Sequence, residues 1–251
     1  MILKYIFRHT NPDFLNRDLE KLTPKDIMFR KAIYHSGFKF GLLLLATITF
    51  IGVFIPFFVD MSPYDQDISK RLLPPVWSEG GSWKYIFGTD GNGRDYLARI
   101  IYGTRVSLTI GIGAATVGML IGVTLGVIAG YFGGIVDQVV SYILTCQLAL
   151  PGILFLLTII SIVGSSLTVV ILVIGVLHWT LFLVVTRAAT QRIRNLDYIT
   201  AADAIGAKKT NIIFTDILPN VLNQIIVIFT LEVGVAILAE ATISFLGLGI
   251  Q

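Results

Sequence analysis

The stretch YITAADAIGAKKTNIIFTDILPN, residues 198–220, is a polar island between two long apolar segments of the chain. Its first half is rich in alanine and ends at Gly206, which indicates a short helix followed by a break. A basic turn comes next, and the second half is helical in pattern up to Leu218-Pro219, where we expect that helix to stop. A compact two-helix element between apolar segments indicates that another molecule docks there.

Composition identifies an integral membrane protein. Of the 251 residues, 55% are hydrophobic and 14% are charged, and the mean hydropathy is +0.80. Soluble domains carry about 25% charged residues. The formal net charge of +3 gives no case for nucleic-acid binding. Cys146 is the only cysteine, which excludes an internal disulfide framework or thiolate metal site. We expect its thiol to be buried and inert.

The chain has five segments that are long and apolar enough to cross a bilayer. A span needs about 20 predominantly apolar residues. The predicted spans are residues 40–59, 106–130, 135–163, 167–186 and 221–246. Pro151-Gly152 interrupts the third, and we expect a tilt or kink there because proline removes a backbone donor. The sequence therefore predicts an all-α polytopic membrane protein with about five transmembrane helices.

The distribution of lysine and arginine orients these spans. Residues 1–39 hold eight Lys/Arg against four acidic residues, and residues 187–220 hold five against three. Residues 60–105 hold six of each sign. Basic residues are retained on the cytoplasmic side of membranes. We therefore expect a cytoplasmic N-terminus, an outer 60–105 loop and an inner 187–220 loop.

Small residues in the second predicted span allow close helix packing. Gly118, Gly122 and Gly126 recur at four-residue spacing on one helix face. Such faces pack helices together where lipid supplies no hydrophobic driving force. Their partner is either another span of this chain or a second subunit.

The loop before that span ends in FGTDGNGRDYLARIIYGTRVSL, residues 87–108. Its Asp-Gly and Asn-Gly pairs are turn signals, and the apolar positions that follow predict an amphipathic helix at the outer membrane surface. A calcium site at Asp90, Asn92 and Asp95 is a weaker alternative, because further oxygen ligands are missing.

Charged and titratable residues inside the spans are candidates for function. A carboxylate such as that of Glu232, in the middle of the last span, is costly in lipid and is by default a functional candidate. It either pairs with another group or lines a pathway, or it is a protonated or near-interface bystander. His178 is either a packing residue or a metal or proton site. The three histidines are scattered, so a nickel site within the chain has little support.

The 198–220 stretch resembles the cytoplasmic coupling motif of permease subunits in ATP-binding-cassette importers. That family's pattern is Glu-Ala-Ala, three residues, Gly, nine residues and an apolar position before Leu-Pro. The 87–108 string resembles Gly-Thr-Asp-x-x-Gly-Arg-Asp of the dipeptide, oligopeptide and nickel branch. Three further strings agree in order, namely GYFGGIVD (residues 130–137), LPG (150–152) and EATISFLGLG (240–249). Thr200 stands where the family has Glu, and the sixth span that the family normally has after the position of Gln251 is missing from the five predicted here.

The resemblance implies a type-I importer permease fold in a bacterial inner membrane. It divides the chain into a cytoplasmic segment (1–39), a first span with a periplasmic loop (40–105) and a permease core (106–251) that contains the coupling loop 187–220. The implied coupling residues are Thr200, Ala201, Ala202, Asp203, Gly206, Ala207, Lys208, Lys209, Leu218 and Pro219. The candidate pathway or gate residues are Glu232, Glu240 and Pro151.

The implied partners are a second homologous permease, two cytoplasmic ATP-binding subunits and a periplasmic or lipid-anchored solute-binding protein. The sequence contains no glycine-lysine phosphate loop, so we expect ATP hydrolysis in partner subunits, no catalysis here and no cofactor. Short peptides are the expected substrate, with nickel or another small solute as alternatives. An inactive truncated permease acting as a scaffold, or a secondary transporter or channel subunit, also remains open.

Overall fold

The computed structural model describes residues 33–58 and 62–249. The chain divides into two compact units, Met1–Thr104 and Arg105–Gln251. Most of the predicted cytoplasmic segment 1–39 lies outside the described residues. Secondary structure in the described part is almost entirely helical, which confirms the all-α prediction. Among the described residues, four helices are long and apolar enough to cross a membrane, and the number of spans is five if one bent pair counts as a single span.

The first unit contains helix α1 (Ser36–Phe58), the loop after it and the start of α2 (Tyr96–Phe132). Helix α1 is apolar and exposed along its length, with only Gly52 buried among its residues. Its 23 residues extend about 35 Å, enough for a hydrocarbon core of roughly 30 Å. Within residues 62–95, the loop contains a short 3₁₀ turn at Ile68–Lys70 and two isolated bridges.

Helix α2 is longer than the predicted span. Its 37 residues run without interruption from Tyr96 to Phe132, about 55 Å. The prediction of a separate surface helix before this span is therefore wrong. The Oδ1 atom of Asp95 accepts the backbone N–H of Leu97 at 2.9 Å, which caps the first turn.

The second unit holds the remaining helices. They are α3 (Gly134–Leu148), α4 (Gly152–Val163), α5 (Leu167–Leu177), α6 (Trp179–Arg194), α7 (Asp197–Ala204), α8 (Lys209–Asn211) and α9 (Leu218–Phe245), with a π-helical stretch at Ile212–Ile217 between the last two.

The predicted interruption at Pro151 is a sharp bend. Helices α3 and α4 meet at 79°. Pro151 is in the extended region at the N-terminus of α4, and the ring of a proline disfavours helical geometry in the residue before it. Helices α5 and α6 are separated only by His178 and together form one apolar stretch, Leu167–Arg194.

The glycine stripe of α2 packs within the chain. A Cβ added at Gly122 would lie 2.6 Å from the Cβ of Phe182, and one at Gly126 would lie 2.9 Å from the Cβ of Thr186. Gly118 abuts the backbone at His178 in the same way. The α5–α6 stretch therefore packs against this stripe. Of the two partners left open by the sequence, the one found is another span of the same chain.

Cys146 is exposed on α3 in this chain. The prediction of a buried thiol is therefore wrong. An apolar neighbourhood in sequence does not imply burial in a membrane protein, because lipid-facing residues are apolar too.

Candidate functional site

Helix α7 is a short helix that ends in a glycine turn. Gly206 has a φ of +80°. Its N–H donates to Asp203 O at 3.0 Å, and the N–H of Ala207 donates to Ala202 O at 3.0 Å. This pair of bonds is the Schellman arrangement, which needs a left-handed residue after the helix. The predicted helix and glycine break are present, and the role of Gly206 is to allow the turn.

One face of α7 is anchored in the protein core. Ile199 is buried, in one cluster with Ile212 and Ile217. Ala202 and Ala207 are half-buried and pack against that cluster. Two of the predicted coupling residues therefore fix the element to the protein rather than face outward.

The opposite face of α7 and its turn is open. Ile205 is 86% exposed, more than the other large hydrophobic residues nearby, Tyr198 and Phe214. The other exposed positions carry small or charged side chains, namely Thr200, Ala201, Asp203, Ala204, Gly206, Lys208 and Lys209. We call this set, with Ile205, the α7 surface. Ile205 was missed from the sequence, although an isoleucine directly before a helix-ending glycine in a polar island is a usable signal.

A shallow cavity of about 350 Å³ lies beside the α7 surface. Ala207, Lys208, Thr210, Asn211 and Phe214 line it, and Phe214 is 67% exposed. Two large apolar side chains, Ile205 and Phe214, are thus presented outward near the basic turn. Exposed apolar groups rimmed by polar ones are typical of protein interaction sites.

The second helix of the predicted pair does not stop at Leu218-Pro219. The N–H of Leu218 donates to Ile213 O, five residues back, as in a π-helix. Pro219 follows at the start of α9. A proline inside regular α-helix clashes with the carbonyl four residues earlier, and π-type insertions are one way a helix changes its bonding register. Helix therefore continues from Lys209 to Phe245, and the predicted stop is wrong.

The 130–137 segment is held against α6 and the start of α8. Arg187 Nη2 donates to Asp137 Oδ2 at 2.5 Å, and Arg187 Nε lies 2.5 Å from Asp137 Oδ1. The Arg194 guanidinium lies 6.0 Å from the centre of the Tyr131 ring, and Lys209 Nζ lies 5.8 Å from the centre of the Phe132 ring. These contacts connect the GYFGGIVD string to the 187–220 segment.

Two titratable residues meet inside the apolar part of the second unit. Nδ1 of His178 lies 2.7 Å from Oε2 of Glu232. The Glu232 residue is 6% exposed, and His178 occupies the break between α5 and α6. This contact agrees with the pairing alternative for Glu232, and a place of Glu232 in a pathway stays a prediction.

Gln147 stabilises the same break from α3. Its Nε2 donates to Leu177 O at 2.9 Å and to Val176 O at 3.3 Å, and its Oε1 accepts the indole N–H of Trp179. Backbone carbonyls at a helix end inside a membrane need such partners. We call Gln147, His178, Trp179 and Glu232 the polar node.

Glu240 lies two turns beyond Glu232 on α9. Its Oε1 accepts the Ser244 hydroxyl at 2.7 Å, and its Oε2 is 3.5 Å from the Ser107 hydroxyl oxygen. Pro151, the third predicted pathway residue, is exposed at the α3–α4 bend. The three residues therefore do not form one cluster, and Glu232 has a titratable partner that the sequence did not assign to it.

The Asp90 loop in the first unit is stabilised by its own arginines. Asp90 Oδ1 accepts the N–H groups of Asn92 and Arg94, and its Oδ2 accepts from the side chains of Arg94 at 2.8 Å and Arg99 at 2.5 Å. Burial alone would raise the pKa of this carboxyl, but these donors together hold the pKa well below its usual range. Both oxygens are thus occupied by donors, which is not the arrangement of a calcium ligand.

A family model described as "Binding-protein-dependent transport system inner membrane component" matches residues 122–251. The chain is 38% identical over 213 residues to the dipeptide transport system permease protein DppC of Haemophilus influenzae, covering 85% of this chain and 72% of that protein. It is 34% identical to the di/tripeptide transport system permease protein DppC of Pseudomonas aeruginosa (91% and 76% covered). It is 40% identical to the DppC dipeptide permease of Alkalihalophilus pseudofirmus (84% and 67% covered).

Proposed function

The chain belongs to the family of inner membrane components of binding-protein-dependent transport systems, and on that premise we propose that it is the permease subunit of an ATP-binding-cassette importer for short peptides. It is a multi-pass inner membrane protein. The names of the relatives, which refer to dipeptides and to di/tripeptides, support peptides as the substrate class.

The observation that carries the proposal is the α7 surface. It combines small side chains, which let another protein approach the backbone closely, with the exposed apolar side chain of Ile205. Its inner face is anchored by Ile199 in the core. A partner that binds this surface therefore pushes on a rigid element rather than on a loose loop.

The helix that starts after the basic turn transmits a movement of the α7 surface into the membrane. It runs from Lys209 to Phe245 and includes Glu232 of the polar node and Glu240. A displacement at the Lys209 end is transmitted along this helix to Glu232, which also contacts the α5–α6 break through His178. Alternating access in the importer then follows from movement of ATP-binding subunits docked on the α7 surface.

The proposed assembly has four kinds of subunit. A second homologous permease completes the pathway, two ATP-binding subunits hydrolyse ATP on the cytoplasmic side, and a solute-binding protein delivers peptide from outside. The family's description as binding-protein-dependent supports the last of these. The N-terminus and the α7 surface lie in the cytoplasm in this proposal, and the excess of basic residues supports that orientation.

Copurification of the ATP-binding subunits tests the proposal. Ile205→Asp places a charge in the centre of the proposed contact and removes an isoleucine whose burial contributes about 1.5–3 kcal/mol. We expect the amount of copurified ATP-binding subunit to fall roughly ten- to a hundredfold. Ile205→Leu is the matched control and should retain it.

Gly206 is less suited to this test. Its positive φ means that any side chain strains the turn, whatever the partner does. The wild type and Ile205→Asp must be compared at equal membrane-inserted yield of the permease. If both then copurify equal amounts of the ATP-binding subunits, the α7 surface is not the docking element.

A further inference from the structure

A cavity of about 420 Å³ lies where the α3–α4 bend, the α5–α6 break and α9 meet. Its volume is in the range of small-molecule sites, about 300–1,000 Å³. Its apolar wall includes Ile153, Leu156 and Leu238. Its polar lining includes His178 and Thr180. The cavity was not foreseen from the sequence, because five separate helices contribute to it.

The polar node presents one unused group to this cavity. The His178 Nδ1 atom is taken by Glu232, and the side-chain amide of Gln147 is bonded through both its nitrogen and its oxygen. Within residues 33–58 and 62–249, neither His178 Nε2 nor the Thr180 hydroxyl has a hydrogen-bond partner. His178 is about one-fifth exposed, so Nε2 is accessible to an occupant of the cavity.

The hydrogen-bonding capacity of His178 Nε2 and the Thr180 hydroxyl indicates which kind of molecule occupies the cavity. A lipid acyl chain offers no hydrogen-bond partner, and polar groups at membrane depth are tolerated where they face a bundle interior or a water-filled cavity. Glu232 occupies Nδ1, so Nε2 is the ring nitrogen left for an occupant of the cavity. An imidazole nitrogen can accept or donate a hydrogen bond, and a peptide backbone supplies partners of both kinds in its N–H and carbonyl groups.

We propose that this cavity is a subsite for one residue of a peptide in transit. The peptide side chain lies against Ile153, Leu156 and Leu238, and a backbone N–H or carbonyl group of the peptide forms a hydrogen bond with Nε2 of His178. The proposal rests on the proposed function, because it requires that peptides pass through this subunit. Beyond that function, it names the cavity where the peptide contacts this subunit and His178 as the residue that recognises the peptide.

Photocrosslinking during transport tests the proposal directly. A benzophenone amino acid replaces Leu238, which lines the cavity and is 68% exposed, in the complex reconstituted with its partner subunits. Leu120 on α2 is the matched control, since it is also a leucine, 61% exposed, and does not line the cavity. We expect a radiolabelled trileucine adduct at position 238 that requires ATP and the binding protein, and none at position 120.

His178→Gln identifies the recognising residue. A glutamine amide can still donate to Glu232, so the pairing inside the protein is kept, but it loses the imidazole nitrogen that faces the cavity. We expect the trileucine concentration needed for half-maximal crosslinking at position 238 to rise about tenfold. An unchanged concentration would overturn the assignment of His178.

A cavity-filling variant gives an independent measurement without an unnatural side chain. Leu238→Trp should lower uptake of trileucine much more than uptake of triglycine, because the tryptophan occupies the space for a large side chain. Leu120→Trp should leave the ratio of the two uptakes unchanged. An equal loss for both peptides in Leu238→Trp would contradict the subsite.

The outcomes separate the two proposals. Adducts at position 238 that contain only lipid or the partner permease, during active peptide uptake, would overturn the subsite and leave the proposed function intact. Adducts of equal yield at positions 120 and 238 would also overturn it. Absence of peptide uptake by the wild-type complex would instead contradict the proposed function, and the subsite with it.

Discussion

The Nδ1 atom of His178 and the Oε2 atom of Glu232 are 2.7 Å apart, which connects the α5–α6 break to the middle of α9. The two residues are 54 positions apart in sequence and both lie in segments apolar enough to cross a membrane. Pairing lowers the cost of each polar group in this environment. In the proposed importer, this contact is where a movement of α9 would reach the α5–α6 stretch.

His178→Leu should destabilise the chain more than the double replacement His178→Leu/Glu232→Leu. Breaking a buried pair by removing one partner costs about 3–5 kcal/mol, whereas replacing both partners by apolar residues is often neutral or stabilising. Thermal denaturation of the purified variants in detergent measures the difference. Additive effects of the two single replacements would show that the residues are not coupled.

Gly122→Ala should destabilise the packing of α2 against α6. The added Cβ would lie 2.6 Å from the Cβ of Phe182 and 2.9 Å from the Leu183 nitrogen. Overpacking of this kind costs about 1–3 kcal/mol. Gly234→Ala in α9 is the control, because no atom lies within 4 Å of its added Cβ. We expect it to be neutral or stabilising by about 0.5–1 kcal/mol, and equal denaturation temperatures for both variants would contradict the packing.

The Asp90 loop should lose stability as the pH falls. Because the folded loop holds the pKa of Asp90 below its unfolded value, the ionised carboxyl stabilises the fold fully above the ordinary aspartate pKa, about 4. That contribution is lost as the pH falls through the lower folded pKa. Amide hydrogen exchange of residues 88–95, taken relative to the intrinsic rate at each pH, should therefore rise at acidic pH in the wild type. In Asp90→Asn it should already be fast at neutral pH, and equal exchange in both proteins at pH 7 would contradict the network.

Cysteine labelling tests the proposed orientation. In a Cys146→Ala background, Ser78→Cys in the exposed loop of the first unit should react with a membrane-impermeant thiol reagent in intact spheroplasts. Lys208→Cys, on the α7 surface, should react only after lysis. The background is needed because Cys146 is itself exposed. The opposite labelling pattern would reverse the orientation.

Local signals in the sequence predicted much of the fold. Hydropathy located the spans, proline and glycine located the α3–α4 bend, and the alanine-rich stretch before Gly206 predicted α7 and its turn. These features depend on residues close together in the chain, where propensity and backbone geometry decide the outcome. The family resemblance drawn from the ordered motifs is confirmed by the family model and the relatives.

Features that depend on distant residues were not predicted. The partner of Glu232 is set by the packing of α9 against the α5–α6 stretch, which no local pattern encodes. Pro219 continues a helix because a π-helical stretch precedes it, and that stretch has no distinctive composition. Which faces of α3 are covered also depends on tertiary packing, which is why Cys146 was assigned wrongly.

ATP-dependent uptake of a radiolabelled dipeptide into proteoliposomes tests the central claim most directly. The vesicles contain this chain with a second permease and two ATP-binding subunits, and the binding protein is supplied outside. We predict uptake that requires both ATP and the binding protein. Ile205→Asp should abolish this uptake, and Ile205→Leu should retain it. Uptake that proceeds without ATP, or that is unchanged by Ile205→Asp, would contradict the assignment of this chain as a permease energised through its α7 surface.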